Sequence, residues 1–412
     1  MLLDDFKHFP LRGRQYLERH VNDGSPSGFS ELNRTSYATD PLSLRPYFYL
    51  YGCRAPSSWF KSVGSVESTL LAQFGDDWIP IHPDMISHDV LKLDAVRVAV
   101  EDSFKVVPTA SSRTVQILST ANSDYIKLHY DGILGRVYRA LPFQKAVAGI
   151  EISTELQKAF DYGLLSESIA FLPECAMRYM YVPGAPEESG VGMIWRRNQL
   201  VGKRSGECEH VWPSFSLFST DRLRPLDMPI LIQLIMRSSE DPAEYLLNRL
   251  LFPLVDFYFD LAIGQGLQIE CNAQNVMVGL DGKLRIVVIV LRDLMRCEKD
   301  LPIRRQLGLS TDFQSAPYKC IDDSDPIYSV RHSFSFDFKF SYYLVKPLIE
   351  VVHDHFGSDE SKLLGQLREY VLNRCSNLPK GYFPEDSRWY KHDRILLTGE
   401  RPYVECRDPL LR

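Results

Sequence analysis

Two apolar runs joined by an Asp-Gly turn are the strongest local constraint on how this chain folds. The runs are Val276–Val278 and Arg285–Val290, and Asp281-Gly282 lies between them. An Asp-Gly pair between two apolar runs is typical of a β-hairpin, because Gly accepts the positive φ that tight turns require. The sequence therefore predicts a hairpin in the second half of the chain.

The spacing of apolar residues changes near residue 160. Strand-like alternation is common before this point, and helical spacing is common after it. The predicted strands are Pro46–Tyr51, Trp78–His82, Val96–Val100, Thr114–Leu118 and Ile126–Tyr130, and the predicted helices are Pro229–Met236, Ala243–Gly264 and the region from Phe338 to Asn373. We expect an α+β fold with a β-rich lobe over residues 1–160 and a mainly helical lobe over residues 161–412 that carries the hairpin.

Charge and hydropathy exclude several classes of protein. Among the 412 residues, Lys and Arg number 47 against 53 Asp and Glu, which gives a net charge of −6. This balance offers no general attraction to nucleic acid or to an anionic membrane. The longest apolar segment, Ile286–Leu291, has the length of a strand, and the N-terminus carries acids where a signal peptide has basic residues. Eight cysteines are scattered singly. We therefore expect a cytoplasmic protein with reduced thiols and no nucleic-acid or membrane partner.

A first group of polar residues follows the predicted strands of the β-rich lobe. It comprises Ser111, Arg113, Thr114, Lys127 and Arg139. Hydroxyls and cations that converge from adjacent strands suit a triphosphate or a carboxylate, because each gives charge-assisted donors to anionic oxygens. The alternative is an ordinary solvated face of a sheet.

A second group surrounds the hairpin. Glu270, Gln274 and Asn275 precede its first strand, and Asp293 follows its second strand. Carboxylate and amide oxygens are hard ligands of the kind that bind Mg²⁺ together with nucleotide phosphates. The alternative is a polar loop whose side chains bond only to its own backbone.

Together the two groups resemble a known family, the NRPS-independent siderophore synthetases of the aerobactin-synthetase type. The string Gly266-Leu-Gln-Ile-Glu-Cys-Asn-Ala-Gln-Asn275 and Leu291-Arg-Asp293 are similar to the family hallmark Gly-x-x-x-Glu-x-His-Gly-Gln-Asn with a later Leu-Arg-Asp. Other matching segments occur in the family's order: Ile79-Pro-Ile-His-Pro83, Ser111-Ser-Arg-Thr114, Lys127-Leu128 with Arg139, Ala148-Gly-Ile-Glu-Ile-Ser153, Gly192-Met-Ile-Trp-Arg-Arg-Asn198, Lys391 and Asp408-Pro-Leu410. The resemblance covers roughly residues 28–412.

The resemblance implies an activity. Members are ATP-dependent ligases with a cupped-hand shape that act in siderophore biosynthesis. They adenylate a carboxylic acid, with ATP cleaved to AMP and pyrophosphate, and then let an amine or an alcohol attack the acyl-adenylate. The implied cofactors are ATP and Mg²⁺, and a homodimer is a further expectation.

The resemblance also implies a role for each matching residue. Ser111, Arg113, Thr114 and Lys127 would hold the phosphates, Arg139 the acid or the α-phosphate, Gln274 and Asn275 the nucleotide, and Glu270, Asn275 and Asp293 the Mg²⁺. Asn272 would hydrogen-bond a developing oxyanion, and Lys391 would face the acyl substrate. Fixed cations and Mg²⁺ would lower the barrier that arises when a carboxylate approaches the α-phosphate.

The chain departs from the family pattern in two regions. Asn272 and Ala273 replace the hallmark His and Gly, and Gly135 replaces a Thr. An asparagine can hydrogen-bond but cannot exchange a proton. A phosphate-binding His-Pro-x-His-Pro-x-x-Lys-x-Arg motif would fall on about Leu17–Pro26, where His20 is its one surviving residue. We therefore expect the chain to lack the family's N-terminal domain and this motif.

Three hypotheses follow for the function. The first is an active but divergent ligase, and the second is a degenerate homologue that keeps a nucleotide site and serves as a partner subunit. The third is an unrelated hydrolase with a Ser or Cys nucleophile, which has no Gly-x-Ser-x-Gly elbow to support it. Nucleotide affinity separates the first two hypotheses from the third, and turnover separates the first from the second.

Overall fold

Alternating apolar residues in the first half of the chain build one large antiparallel sheet. The computed structural model describes residues 3, 10–23, 25, 46–86, 89–111, 113–118, 123–134, 137–186, 190–315, 319–395 and 399–412. In chain order the strands of the large sheet are β1 (Phe48–Arg54), β2 (Phe60–Gly64), β3 (Trp78–Pro80), β4 (Arg97–Pro108), β5 (Thr114–Ile117), β6 (Tyr125–Leu128), β10 (Glu174–Met180) and β11 (Val191–Arg196). Their spatial order is β2-β10-β11-β6-β5-β4-β1-β3. The five strands predicted before residue 160 are confirmed.

The two faces of this sheet differ because successive side chains of a strand point to opposite sides. On one face Val115, Ile126 and Trp195 are buried in an apolar core. Thr114 and Lys127 are directly opposite each other in the β5–β6 pair and point to the other face. That face therefore carries the polar residues of the first group.

The predicted hairpin is confirmed. Its strands, β14 (Val276–Leu280) and β15 (Ile286–Leu291), pair antiparallel, with β12 (His210–Pro213) beside β14 and a parallel strand β9 (Ile169–Phe171) beside β15. The carboxylate of Asp281 accepts hydrogen bonds from the backbone N–H groups of Lys283 and Arg285, both at 2.9 Å. Leu284 takes the left-handed conformation in the turn, with φ 63°. The aspartate side chain thus closes the turn.

Helices dominate the rest of the second half, as predicted, and the first two of the described helices lie in the first half. In chain order the helices are α1 (Pro10–His20), α2 (Phe143–Asp161), α3 (Ile230–Ser238), α4 (Pro242–Tyr245), α5 (Phe252–Ala262), α6 (Leu301–Gln306), α7 (Tyr328–Ser333), α8 (Lys346–Phe356) and α9 (Glu360–Cys375). The π-helical segments Leu246–Leu251 and Phe334–Val345 join α4 to α5 and α7 to α8. Their apolar faces form a second core together with β14 and β15. Within the described residues, no helix has both the length and the apolar character that a bilayer span requires.

Among the described residues, two strand pairs and one three-stranded sheet complete the fold. They are β7 (Ile133–Leu134) with β8 (Val137–Tyr138), β13 (Leu267–Gln268) with β16 (Glu298–Asp300) and β17 (Cys320–Ile321), and β18 (Trp389–Ile395) with β19 (Gly399–Arg407). Mixed helices and antiparallel sheets confirm the α+β class. The large sheet also takes in β10 and β11, which follow residue 160, so the division into lobes at that position stays a prediction.

Helix α2 connects the two halves. It packs against β10 and against the short turn Leu294–Arg296 that follows β15. This packing brings the residue at the start of the turn, Asp293, to the polar face of the large sheet.

Candidate functional site

The centre of the candidate site is a buried ion pair between the two predicted groups. The Lys127 Nζ donates to the Asp293 carboxylate, and the two side chains are 4% and 19% exposed. Arg196 Nη2 lies 3.4 Å from the same carboxylate. Although burial acts to raise the pKa of Asp293, the neighbouring Lys127 and Arg196 hold it well below its usual range. Asp293 is therefore an anion between two cations.

The backbone at Asp293 has an unusual conformation. Its φ of 67° places it in the left-handed region, which is uncommon for residues other than glycine. Strained residues of this kind persist where the surrounding structure fixes them, and they cluster at functional sites. Here the preceding strand β15 and the following turn Leu294–Arg296 fix the residue from both sides.

A buried carboxylate, Glu174, holds Arg196 in place. Arg196 Nη2 donates to Glu174 Oε1 at 2.7 Å, and Glu174 Oε2 accepts from the Met295 backbone N–H at 3.1 Å. The close approach of Glu174 to α2 requires a glycine at position 149, because a Cβ there would lie 2.1 Å from Glu174 Oε2. This contact gives a physical reason for the glycine in the Ala148–Ser153 segment.

The protonation of Lys127 is set by its surroundings. Burial and the neighbouring cations Arg113 and Arg196 lower its pKa to about 7, while Asp293 and Glu174 oppose this change. A lysine in such a position gains or loses its charge near neutral pH.

The loop before β5 places the other members of the first group. Arg113 is buried, and its Nη1 donates to the backbone carbonyl of Arg139. The Ser111 hydroxyl accepts from the Thr114 backbone N–H at 3.1 Å, which closes the loop. Burial, together with Arg139 and Arg296, lowers the pKa of Arg113. Arg113 thus fixes the chain at Arg139 and adds positive charge to the site.

Arg139 lies between the two groups. Burial and Arg296 lower its pKa to about 10, whereas Asp293 and Glu270 act in the opposite direction. Because Asp293 and Glu270 both act on the pKa of Arg139, Arg139 lies near both of the carboxylates that were predicted to bind the metal. The structure therefore brings the sheet residues and the hairpin residues into a single site.

The loop from Glu270 to Asn275 is closed by its own polar side chains. Asn272 Oδ1 accepts hydrogen bonds from the backbone N–H groups of Gln274 at 3.0 Å and Asn275 at 3.1 Å. Asn275 Nδ2 donates to Glu270 Oε2 at 3.3 Å, and the Ser25 hydroxyl donates to Gln274 Oε1 at 3.3 Å. The Asn272 carboxamide oxygen thus supports the loop.

Two cations accompany the Glu270 carboxylate. Lys339 Nζ lies 3.2 Å away and Arg296 Nε lies 3.8 Å away. Burial acts to raise the pKa of Glu270, but Lys339 and Arg296 together hold it below its usual value. Glu270 is therefore ionised at neutral pH.

The structure does not test the predicted role of Lys391. Its backbone lies in β18, opposite Val404 of β19, while its side chain lies outside the described residues. Its predicted contact with the acyl substrate stays a prediction.

Several residues of the site were not among the predicted ones. Arg196 lies in the segment Gly192–Asn198 and Arg292 lies in Leu291–Asp293, so both occur within motifs that the sequence had already indicated. Glu18 has no such signal: it is buried on α1, pairs with Arg292 and accepts from the Ala110 backbone N–H at 3.1 Å. The described residues also include a surface cavity of about 580 Å³ beside α5, which none of the site residues line.

The site as a whole is cationic. Among the described residues, the cations of the site outnumber its carboxylates: they are Arg113, Lys127, Arg139, Arg196, Arg296 and Lys339 against Glu174, Glu270 and Asp293. Buried cations in fixed positions favour anionic ligands that develop or transfer charge, such as a phosphate chain or a carboxylate. The arrangement thus suits an anionic substrate.

The oxygen donors near Asp293 also fit a hard cation. Asn275 directs its amide nitrogen to Glu270, which leaves its carbonyl oxygen as the atom able to bind a metal. Two carboxylates and one amide, from Glu270, Asp293 and Asn275, are oxygen ligands of the type that Mg²⁺ accepts together with nucleotide phosphates. The described residues contain no group of three or more His, Cys, Asp or Glu that would hold a metal by themselves. A bound ion here would therefore rely on a ligand for the rest of its coordination.

Comparison with known proteins supports the resemblance. A model of the IucA / IucC family matches residues 78–219. The chain is similar to the petrobactin biosynthesis protein AsbB from Bacillus anthracis str. Sterne, with TM-score 0.71, 15% identity, and 96% of this chain and 75% of that chain covered. Two further similar structures come from a hypervirulent pathotype of Klebsiella pneumoniae. Aerobactin synthetase IucC gives TM-score 0.64, 16% identity and coverages of 84% and 65%, and ATP-bound aerobactin synthetase IucA gives 0.63, 13% and coverages of 93% and 75%. A search of curated proteins finds no match.

These findings confirm the resemblance to the siderophore synthetases and the fold class. The family match contains the loop with Ser111 and Arg113 as well as Lys127 and Arg139. The hairpin residues lie beyond that match, and the solved structures show the fold around them.

Proposed function

Because residues 78–219 match the IucA / IucC family and the fold is that of solved siderophore-biosynthesis proteins, we propose that the chain is an ATP-dependent ligase. It joins a carboxylic acid to an amine or an alcohol in a siderophore-type biosynthesis. The observation that carries the proposal is the Lys127–Asp293 pair, since it unites the phosphate-type residues of the sheet with the metal-type residues of the hairpin.

The proposed reaction has two steps. A carboxylate oxygen of the acid attacks the α-phosphorus of ATP, and pyrophosphate leaves with the bonding electron pair. The amine or hydroxyl of the second substrate then attacks the acyl carbon, loses its proton, and AMP leaves. Both steps move negative charge onto phosphate oxygens, so a preorganised cationic site favours them.

The chain's own residues divide between binding and orientation. Lys127, Arg113, Ser111 and Thr114 hold and position the phosphates, and Arg139 orients the carboxylate against the α-phosphate. Gln274 and Asn275 contact the nucleotide. Asn272 keeps both in position because its carboxamide oxygen accepts their backbone N–H groups, and it would also hydrogen-bond a developing oxyanion. Lys391 faces the acyl substrate.

Magnesium has a defined place in this proposal. Glu270, Asn275 and Asp293 would hold the ion, which neutralises phosphate charge when bound. For Asp293 to contact it, the carboxylate must share its charge between the ion and Lys127. The dimeric state that the family resemblance implies is also part of the proposal.

The test is pyrophosphate release with Mg-ATP and a panel of di- and tricarboxylic acids, with hydroxylamine present to trap the acyl-adenylate. A hydroxamate formed with one acid supports the ligase and identifies its substrate class. Lys127→Met should abolish this signal, while Lys105→Met, at an exposed lysine of β4, should retain it. Binding of Mg-ATP without turnover across the panel would favour the degenerate, partner-dependent homologue instead.

A further inference from the structure

Helix α1 is fixed against the candidate site by buried charges. Glu18 bridges the two polar loops, since its carboxylate pairs with Arg292 and accepts the N–H of Ala110. One turn earlier on the same helix, Arg14 Nη2 donates to Asn198 Oδ1. The helix therefore presents Arg14 at the end of strand β11, beside the polar face of the large sheet.

Three hydrogen-bonding atoms in this region have no partner among the described residues. They are Arg14 Nη1, the Tyr125 hydroxyl and Arg196 Nε. Their side chains are deeply buried, with exposed fractions of 6%, 3% and 5%. Buried polar groups in folded proteins are nearly always hydrogen-bonded, so three unpartnered groups in one place require an explanation.

The three groups lie side by side. Arg196 and Tyr125 are directly opposite each other in the β11–β6 pair, so their side chains leave the same face of the sheet. The Arg14 guanidinium lies 5.4 Å from the centroid of the Tyr125 ring. Tyr125 is also two residues before Lys127 on β6 and shares its face. The unpartnered groups thus extend the cationic site toward α1.

The chemistry of these groups points to an anionic ligand. Two are N–H groups of guanidinium ions and the third is a hydroxyl, and all three can donate to one group of anionic oxygens. We infer that Arg14, Tyr125 and Arg196 form a subsite for the outer phosphates of the nucleotide, the part released as pyrophosphate. This inference rests on the proposed function. Placed beyond Lys127, the subsite would hold the leaving group while Lys127 and Arg139 act nearer the reacting carboxylate.

Calorimetry on the full chain tests the subsite, with magnesium pyrophosphate and citrate as separate probes. Arg14→Gln should weaken pyrophosphate binding by about tenfold or more, as expected for a lost charge-assisted donor, and Tyr125→Phe by a smaller factor. Citrate binding should not change in either variant. Tyr16→Phe is the matched control. Tyr16 lies on the same helix as Arg14, but its hydroxyl donates to Asp221 at 2.8 Å, so this variant should bind pyrophosphate as the wild type does.

Thermal unfolding distinguishes a ligand subsite from a structural role. Tyr125→Phe removes a hydroxyl that has no partner among the described residues, so its Tm should equal or exceed that of the wild type while its pyrophosphate affinity falls. A lower Tm with unchanged affinity would overturn the inference, because the hydroxyl would then be satisfied by a structural water. Loss of citrate affinity in place of pyrophosphate affinity would also overturn it. If the wild type binds Mg-ATP and the Arg14→Gln and Tyr125→Phe variants bind pyrophosphate normally, only the subsite is wrong. If the wild type binds neither Mg-ATP nor pyrophosphate, the proposed function is wrong as well.

Discussion

Lys127 and Asp293 form a buried ion pair although 166 residues separate them in the chain. Lys127 belongs to the centre of the large sheet and Asp293 to the end of the hairpin. The pair therefore ties the two predicted groups together. The pair keeps Asp293 ionised, whereas burial, against the influence of Asp293, lowers the pKa of Lys127 to about 7.

The pair can be tested by a double-mutant cycle. Asp293→Asn leaves Lys127 buried without its paired anion, while Arg196 keeps Glu174, and should lower the free energy of unfolding by about 3 kcal/mol. The double variant Lys127→Met/Asp293→Asn should recover most of this stability in urea unfolding, yet release no pyrophosphate. Additive losses of stability in the double variant would contradict the pairing. Lys92→Met/Asp89→Asn, at an exposed pair with N–O distance 2.7 Å, is the control and should change neither property.

The titration of Lys127 predicts the pH dependence of nucleotide binding. Burial lowers its pKa from 10.5 to about 7, so the apo protein loses this charge as the pH rises above 7. A bound phosphate chain favours the ammonium form, and binding of Mg-ATP at pH 8 should therefore take up a proton. Calorimetry in buffers of different ionisation enthalpy should show this uptake in the wild type and not in Lys127→Met. Equal uptake in both proteins would contradict the prediction.

The lowered pKa of Lys127 also makes the free energy of unfolding depend on pH, and here a higher pH is favourable. Between about pH 7 and 10.5, a lysine in the unfolded chain binds a proton that folded Lys127 lacks. The contribution of this residue to the free energy of unfolding therefore rises with pH in that window. The wild type should gain stability relative to Lys127→Met between pH 7 and 9, measured by urea unfolding.

Asn272 and Arg139 should differ in their effect on turnover. Asn272→Ala removes the acceptor of two backbone N–H groups and should lower stability by about 1 kcal/mol, with a moderate loss of hydroxamate formation. Asn272→Asp keeps the acceptor and should restore the loop. Arg139→Ala removes a cation of the site and should lower kcat by about 100-fold or more. A larger loss of turnover in Asn272→Ala than in Arg139→Ala would contradict this assignment.

Magnesium dependence tests the role of Glu270. EDTA should abolish pyrophosphate release, and excess Mg²⁺ should restore it. Glu270→Gln should raise the Mg²⁺ concentration for half-maximal activity by about tenfold or more. Glu298→Gln is the matched control, since Glu298 is as exposed as Glu270, at 23% against 24%, and likewise pairs with cations. An equal shift in both variants would assign the effect to general electrostatics.

Gly149 should matter for activity through its close contact with Glu174. Gly149→Ala would place a Cβ 2.1 Å from Glu174 Oε2 and force that carboxylate away from Arg196. We expect reduced stability and a lower rate of pyrophosphate release. Gly365→Ala in α9 has open space around the added Cβ and should instead raise the free energy of unfolding by about 0.5–1 kcal/mol. Wild-type activity in Gly149→Ala would show that Glu174 has no positioning role.

Local pattern was sufficient to predict much of the fold. The alternation in Thr114–Leu118 and Ile126–Tyr130 and the Asp281-Gly282 turn predicted strands and a hairpin that the structure contains. The same holds for the long helical region Ala243–Gly264, which folds as α4, a π-helical segment and α5. Such elements are predictable because their side-chain periodicity reflects burial on one face.

By itself, the sequence determined much of the secondary structure, the family resemblance and the types of residue at the site, because these depend on neighbours within a short stretch of chain. The tertiary structure decided which of those residues meet. It paired Lys127 with Asp293, used the Asn272 oxygen to close a loop, and brought Glu18 and Arg14 of α1 to the sheet. Apart from the local Asn272 loop, these contacts join residues far apart in the chain. Their partners are fixed by the packing of α1 and α2 against the sheets, which leaves no periodic signal in the sequence.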